Sequence, residues 1–156
     1  MFDARRRKAP LLTIFGGDVT MARLRAERAV SRLLPFYPMS QPWTAQAVLP
    51  GGEFPAQRFE AEVDAARERW KFLTSGQALR LVSAYGSRLD QVLGEAREKT
   101  DLGQSFGPDL TEAEVRHLMT REWARFPDDI LWRRSKLGLI MGPAEREQLA
   151  SFMAAA

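Results

Sequence analysis

The chain has 156 residues, 45% hydrophobic and 28% charged, which suits one globular domain large enough to bury a core. It contains no cysteine and one histidine, excluding disulfides, thiolate chemistry and paired-histidine metal sites. The net charge is +3, with four lysines and nineteen arginines interleaved with Asp and Glu, so apart from Arg5–Lys8 no concentrated nucleic-acid footprint emerges.

The basic stretch to Lys8 is followed only by the short apolar run Leu11–Phe15, which is shorter than a signal-peptide core of about 7–15 residues. No apolar run approaches the roughly 20 residues that cross a bilayer. Pro10–Phe15 is apolar and partly β-branched, and Gly16-Gly17 ends it, which predicts a buried strand entering a tight turn. Asp18 or Thr20 is placed to cap a following helix, in which Ala22, Ala26, Ala29, Val30 and Leu33 recur at helical spacing until Pro35.

Five prolines and Gly51-Gly52 between Pro35 and Pro55 exclude a long helix there. Phe36, Tyr37, Trp43, Val48, Leu49 and Phe54 are expected to be buried, so the segment reads as an ordered loop laid across a surface. Phe59, Val63, Ala66 and Trp70 then form one helical stripe. Thr74 with Gln77 is a capping-box pair, followed by Ala78, Leu81, Val82 and Tyr85 on one face up to Gly86. Ser87 is expected to cap a short helix carrying Leu89, Val92, Leu93 and Ala96, and Thr100–Asp109 reads as a loop. Thr111 with Glu114 is the clearest capping box, heading a helix with Val115, Leu118, Met119 and Trp123 inward. Asp128 or Asp129 opens a helix through Ile130, Leu131 and Leu137, ending near Gly138. Pro143 starts the last helix, with Leu149, Phe152 and Met153 inward and Ala154–Ala156 fraying.

The fold class expected is mostly α: a compact domain of about seven helices, preceded by one short strand and a proline-rich ordered loop. The natural divisions are 1–34, 35–55 and 56–156. A lone strand leaves backbone hydrogen-bonding groups without partners, so pairing of Leu11–Phe15 with a second copy or with another protein is expected.

The segment Leu12-Thr-Ile-Phe-Gly-Gly-Asp-Val-Thr20 resembles the Phe-Gly-Gly-Lys-hydrophobic-Thr segment of FAD-dependent glycerol-3-phosphate dehydrogenases. The resemblance continues through Leu49-Pro-Gly-Gly52, Leu81–Gly86, Asp101-Leu-Gly with Phe106-Gly, Leu110–Val115, Glu122-Trp-Ala124 and Asp128–Leu139, in order over nearly the whole chain. It implies that residues 1–34 are the end of a flavin domain and that residues 56–156 form the helical carboxy-terminal domain. The parent reaction would be FAD-dependent oxidation of sn-glycerol 3-phosphate to dihydroxyacetone phosphate, in the cytoplasm and peripheral to the inner membrane.

Two departures stand against a complete enzyme. The chain has no Gly-x-Gly-x-x-Gly dinucleotide site, because Gly16-Gly17 and Gly51-Gly52 have the wrong spacing and context. Where the family carries a lysine after its glycine pair, this chain has Asp18, a carboxylate where an anionic ligand is approached. The flavin-side positions carried over by the resemblance are Gly16, Gly17, Asp18, Thr20 and Arg23. No catalytic residue and no metal ligand is assigned, and the chain alone is expected to hold no FAD and to be inactive. Its partner is expected to be a flavin domain or a full-length dehydrogenase.

Other residues have plainer readings. His117 falls off the apolar face of its helix and is expected on a solvated surface. Glu112, Glu114 and Glu122 are expected in capping, dipole compensation and solvation. Arg133, Arg134 and Lys136 read as an exposed face matching a helix macrodipole. Trp70 and Trp123 read as core, and Trp132 as a flanking residue that packs on a neighbour. An interaction module derived from the same family is the main alternative. A weak binder of nucleic acid or anionic membrane is the second, although no specific nucleic acid is expected.

Overall fold

The computed structural model describes residues 2–3 and 9–156; the predicted basic cluster Arg5–Lys8 lies outside the described residues. Among those residues the chain is mostly helical, with six α-helices and one π-helix joined by short 3-10 turns. It divides into two compact units, Met1–Val48 and Leu49–Ala156.

In the first unit β1 (Phe2–Asp3) pairs antiparallel with β2 (Leu11–Leu12), Phe2 facing Leu12 and Asp3 facing Leu11. The strand expected over Pro10–Phe15 is therefore shorter, and it is paired within the chain instead of standing alone. Helix α1 (Ala22–Leu33) follows with no buried residue. Neither Asp18 nor Thr20 occupies its N-cap, which is Met21. Asp18 instead accepts the Met21 N–H at 2.9 Å, one position before the helix. Phe36, Tyr37, Trp43 and Val48 are exposed, against the expectation of burial. Phe36 and Tyr37 lie in the turn that ends α1, their N–H groups donating to the Leu33 carbonyl at 2.9 and 3.1 Å, and none of the described residues 9–48 is buried.

The second unit holds the core. Leu49 is exposed, but Phe54 packs on the core as expected. Helix α2 (Phe59–Arg69) presents Phe59, Val63 and Ala66 inward, and Trp70 at its end is buried with its indole N–H donating to the Gly94 carbonyl at 3.2 Å. The Thr74–Gln77 capping box forms in both directions and starts α3 (Ser75–Tyr85), which buries Ala78, Leu81, Val82 and Tyr85. Ser87 does not cap a helix: it lies within the 3-10 turn Gly86–Arg88, and its hydroxyl donates to Glu53. The α-helix that follows, α4 (Asp90–Leu93), spans one turn, and Ala96 packs on the core from beyond it.

Helix α5 (Glu112–Arg121) overturns the strongest capping expectation. Thr111 is at the N-cap, but its side chain makes no capping hydrogen bond, and Glu114 is 1% exposed. The helix start is satisfied across the preceding loop. The Glu112 N–H donates to the Gln104 carbonyl at 2.8 Å, the Glu112 carboxylate accepts the Gln104 N–H at 3.1 Å, and Ser105 and Thr111 form a β-bridge. The helix also ends earlier than its apolar stripe suggested. The Leu118 carbonyl accepts from both Glu122 and Ala124, so the chain turns at Trp123, which has φ of 58° and is 79% exposed. Ala124 takes the buried place that periodicity assigned to Trp123.

Asp129–Arg134 is π-helical, closed by the Ser135 N–H donating to the Ile130 carbonyl at 3.0 Å, and a separate 3-10 turn covers Leu137–Leu139. One continuous helix from Asp128 to Gly138 was expected; Lys136, with φ of 60°, interrupts it. Ile130, Leu131 and Leu137 nevertheless reach the core. Helix α6 (Pro143–Ala155) starts on Pro143 and buries Leu149 and Met153, while Phe152 tilts against the buried Phe106 at 5.1 Å. Its helical backbone runs through Ala154 and Ala155.

Candidate functional site

The residues expected at a flavin-side site lie at the strand-to-helix turn of the first unit. Gly16 and Gly17 have φ of +70° and +141°, conformations that favour glycine, and the space a side chain would take at Gly16 is open. At Gly17 that space is taken, because an added Cβ would stand 2.1 Å from Arg25 Nη1. Arg25 lies seven residues beyond Asp18, and its guanidinium folds back over the turn. Its Nη2 is 3.4 Å from Asp18 Oδ2, and its Nη1 donates to the Asp18 carbonyl at 3.4 Å. Thr20 donates its hydroxyl to Asp18 Oδ1. The Thr20 hydroxyl, the Met21 N–H and Arg25 together hold the Asp18 carboxyl below its ordinary range, so it is ionised at neutral pH.

Four of the five expected positions therefore form one turn, with Arg25 as a member that sequence reasoning missed. The signal was present: Asp18 and Arg25 are opposite charges flanking the helix start. The fifth position, Arg23, points elsewhere, pairing with Glu27 at 3.0 Å and reaching Thr44 Oγ1 at 3.4 Å.

A second cluster, unforeseen, lies in the second unit. Glu114 on α5 accepts two hydrogen bonds from Arg80 on α3, Nη1 to Oε1 and Nη2 to Oε2, both at 2.8 Å. Tyr85, also on α3, donates its hydroxyl to Glu114 Oε1 at 2.8 Å, and Arg80 Nη2 also donates to the Asp109 carbonyl at 2.7 Å. Burial opposes the charge on Arg80, yet its hydrogen bonds to Glu114 and that group's charge hold its pKa above the ordinary arginine value. Burial and the adjacent carboxylate push the Tyr85 hydroxyl up, so it remains a donor at neutral pH. Arg80 Nε is buried without a hydrogen-bond partner. His117, expected on a solvated surface, packs edge-on against Tyr85 with ring centres 5.4 Å apart.

Within the second unit, several segments that carried the family resemblance touch one another. Gly51 and Gly86 cross so closely that a Cβ on Gly86 would stand 1.8 Å from the Gly51 carbonyl oxygen, and the Ser87 N–H donates to that oxygen at 3.1 Å. A Cβ on Gly103 would stand 2.6 Å from Glu112 Oε2. Arg134 donates to the Glu122 carbonyl at 2.6 Å, and Arg133 pairs with Asp129 at 3.0 Å. Lys136 donates to the Trp132 carbonyl, and Arg146 lies over the Trp132 ring at 5.3 Å. These arginines serve the fold's own carboxylates, carbonyls and rings. No group of three or more potential metal ligands occurs among the described residues.

Residues 42–156 match the model of the C-terminal domain of alpha-glycerophosphate oxidase. The chain is 39% identical over 147 residues to an aerobic glycerol-3-phosphate dehydrogenase of Escherichia coli, covering 94% of this chain and 29% of that protein. It is 41% identical over 145 residues to a glycerol-3-phosphate dehydrogenase of Pseudomonas aeruginosa, covering 92% and 28%. It is 40% identical over 139 residues to a D-erythritol 1-phosphate dehydrogenase of Brucella abortus, covering 88% and 28%. The chain thus spans less than a third of the length of the curated relatives it matches.

Proposed function

The chain belongs to the family of the C-terminal domain of alpha-glycerophosphate oxidase, and from that premise we propose that it acts as the helical domain of an FAD-dependent glycerol-3-phosphate dehydrogenase. In this role it supplies shape and contacts to a catalytic centre housed in a flavin-binding partner. The observation that carries the proposal is the match over 42–156, combined with 39% and 41% identity to two glycerol-3-phosphate dehydrogenases along almost the whole chain. The 40% identity to an enzyme named for D-erythritol 1-phosphate is as high, so likeness in this region does not discriminate among phosphorylated polyols. The choice of glycerol 3-phosphate rests on the greater number of relatives named for it.

The residues of this chain alone do not fit FAD. The dinucleotide-binding glycine motif is missing from the sequence. At the strand-to-helix turn Arg25 covers Gly17 and is itself held by the ionised Asp18. A carboxylate there disfavours a phosphate or a reduced flavin by charge repulsion. FAD is therefore assigned to the partner, with Gly16, Gly17 and Thr20 at most bordering it, and no step of the reaction is assigned to this chain's residues.

Co-expression tests the proposal. The flavin-binding part of the Pseudomonas aeruginosa relative, truncated where its likeness to residues 42–156 begins, would be produced with and without this chain. Co-purification of the two, with glycerol 3-phosphate oxidation only in the mixture, is the expected result. A flavin-binding part that oxidises glycerol 3-phosphate equally well without this chain, and does not retain it, would overturn the proposal.

A further inference from the structure

Four of the six large hydrophobic residues that the second unit exposes fall in one stretch: Trp123, Phe126, Leu139 and Ile140, which are 60% to 79% exposed. They occupy the two loops that flank the π-helix Asp129–Arg134. Neither loop is slack. Trp123 has φ of 58°, a strained conformation for a bulky side chain. Around it the Leu118 carbonyl accepts from both Glu122 and Ala124, and Arg134 donates to the Glu122 carbonyl at 2.6 Å. The Asp129 carboxylate fixes the rest of this loop through the Arg125 and Phe126 N–H groups. In the other loop Arg146 brackets Leu139 and Ile140, donating to the Gly138 carbonyl at 2.5 Å and to the Met141 carbonyl at 3.0 Å. The turn at Trp123 thus buries the methyl of Ala124 and holds an indole in water, the reverse of what the hydrophobic effect favours.

Strain that turns an indole outward persists only where the surroundings enforce it, and tryptophan is enriched among the residues that dominate binding energies. A side chain already fixed in place loses little freedom when a partner covers it. Exposed Arg125 and Asp128 belong to the same loop, a polar rim of mixed sign beside an apolar centre. Asp128 and Glu122 weigh against an anionic membrane surface, which repels carboxylates. The curated relatives carry more than two thirds of their length outside the stretch this chain matches, so a protein surface large enough to cover the patch lies in that remaining part. We propose that Trp123, with Phe126, Leu139 and Ile140, is the surface by which this domain docks onto the flavin-binding partner, whose apolar socket receives the indole. This docking rests on the reading of the chain as a helical domain beside such a partner, and it places the contact at the loops around the π-helix.

Trp123→Gly is the sharpest variant, because glycine suits a φ of 58° and the backbone is relieved as the indole is removed. The chain and its variants would be co-expressed with the flavin-binding part of the Pseudomonas aeruginosa relative, and dissociation of each purified complex followed on dilution by sedimentation velocity. The unaltered chain is expected to be retained. Trp123→Gly should weaken the complex about thirtyfold, the loss typical of a dominant interface residue. Its urea midpoint in isolation should stay level or rise, which separates loss of the surface from loss of the fold. Leu139→Ser with Ile140→Ser should weaken the complex about tenfold. Leu79→Ala, at an exposed leucine on α3, should change it by less than about twofold. If the unaltered chain and Trp123→Gly are retained equally, the docking surface is refuted and the domain role stands. If the unaltered chain is not retained, both fall. Self-association, or binding to phosphatidylglycerol vesicles, that Trp123→Gly abolishes while the complex stays intact would assign the patch to a second copy or to a membrane and overturn the proposal.

Discussion

At the scale of single residues, the charged group most committed to the fold is Glu114, 1% exposed and held by two side chains from α3. Its carboxylate meets Arg80 twice and Tyr85 once, all at 2.8 Å. Removing one partner of a buried pair strands the other charge in a poorly solvating interior, typically at a cost of about 3–5 kcal/mol. Glu114→Ala is therefore expected to destabilise the chain by about that amount in urea unfolding. Adding Arg80→Met should recover part of the loss, because the double variant leaves no buried charge alone. An Arg80→Met change that worsened Glu114→Ala further would refute the pairing as the source. Gly86 carries a different constraint, with φ of 54° and ψ of −132° and the Gly51 carbonyl oxygen where a Cβ would go. Backbone strain of this kind costs about 1–3 kcal/mol for a residue with a side chain, and the clash adds to it. Gly86→Ala should lower the unfolding midpoint accordingly, whereas Gly76→Ala, where the added methyl meets nothing within 4 Å, should not.

At the scale of elements, what could be read from the sequence was what local spacing decides. The stripe Phe59–Val63–Ala66–Trp70, the Thr74–Gln77 box and Pro143 at a helix start involve neighbours three to seven residues apart, and each formed as expected. Thr111 and Glu114 have the same spacing as Thr74 and Gln77, yet Arg80, distant in sequence, claims the glutamate. Trp123 continued the stripe of α5 on paper, but the doubly accepting Leu118 carbonyl turns the chain before the stripe reaches it. In the turn near α1 the sequence placed Gly16, Gly17, Asp18 and Thr20 together, while Arg25 was legible only through its charge, opposite to that of Asp18 across the helix start. The π-helix shows how a single carboxylate sets an element's start: Asp129 accepts the backbone N–H groups of Arg125 and Phe126, at 2.9 and 3.0 Å. These bonds, with Arg133 nearby, hold its carboxyl below the ordinary range, as the Arg97 and Glu98 N–H groups do for Asp101. A carboxyl lowered in the folded state stabilises above its unfolded pKa, and that contribution is lost as pH falls through the folded value. Stability should thus decline below about pH 4. Asp129→Asn should flatten that decline in acid unfolding curves; an unchanged acid slope would contradict the assignment.

At the scale of the molecule, the two units differ in how they are held. None of the described residues from 9 to 48 is buried, whereas the second unit encloses Phe106, Leu110, Val115, Leu118, Ile130 and Leu149 almost completely. A unit without buried side chains draws little from the hydrophobic effect. The family match begins at residue 42, close to the division at Val48, and the relatives are more than three times longer than the matched stretch. Among the described residues no helix is long and apolar enough to cross a membrane. These features fit the proposed role of a helical domain that completes a flavoenzyme. The most direct measurement is turnover of glycerol 3-phosphate by the purified chain with saturating FAD and a dye acceptor, with flavin fluorescence followed in the same samples. Rates equal to the protein-free control and no saturable change in fluorescence are expected. Substrate oxidation that scales with the amount of chain and saturates in FAD would contradict the account, placing a complete catalytic centre within these 156 residues.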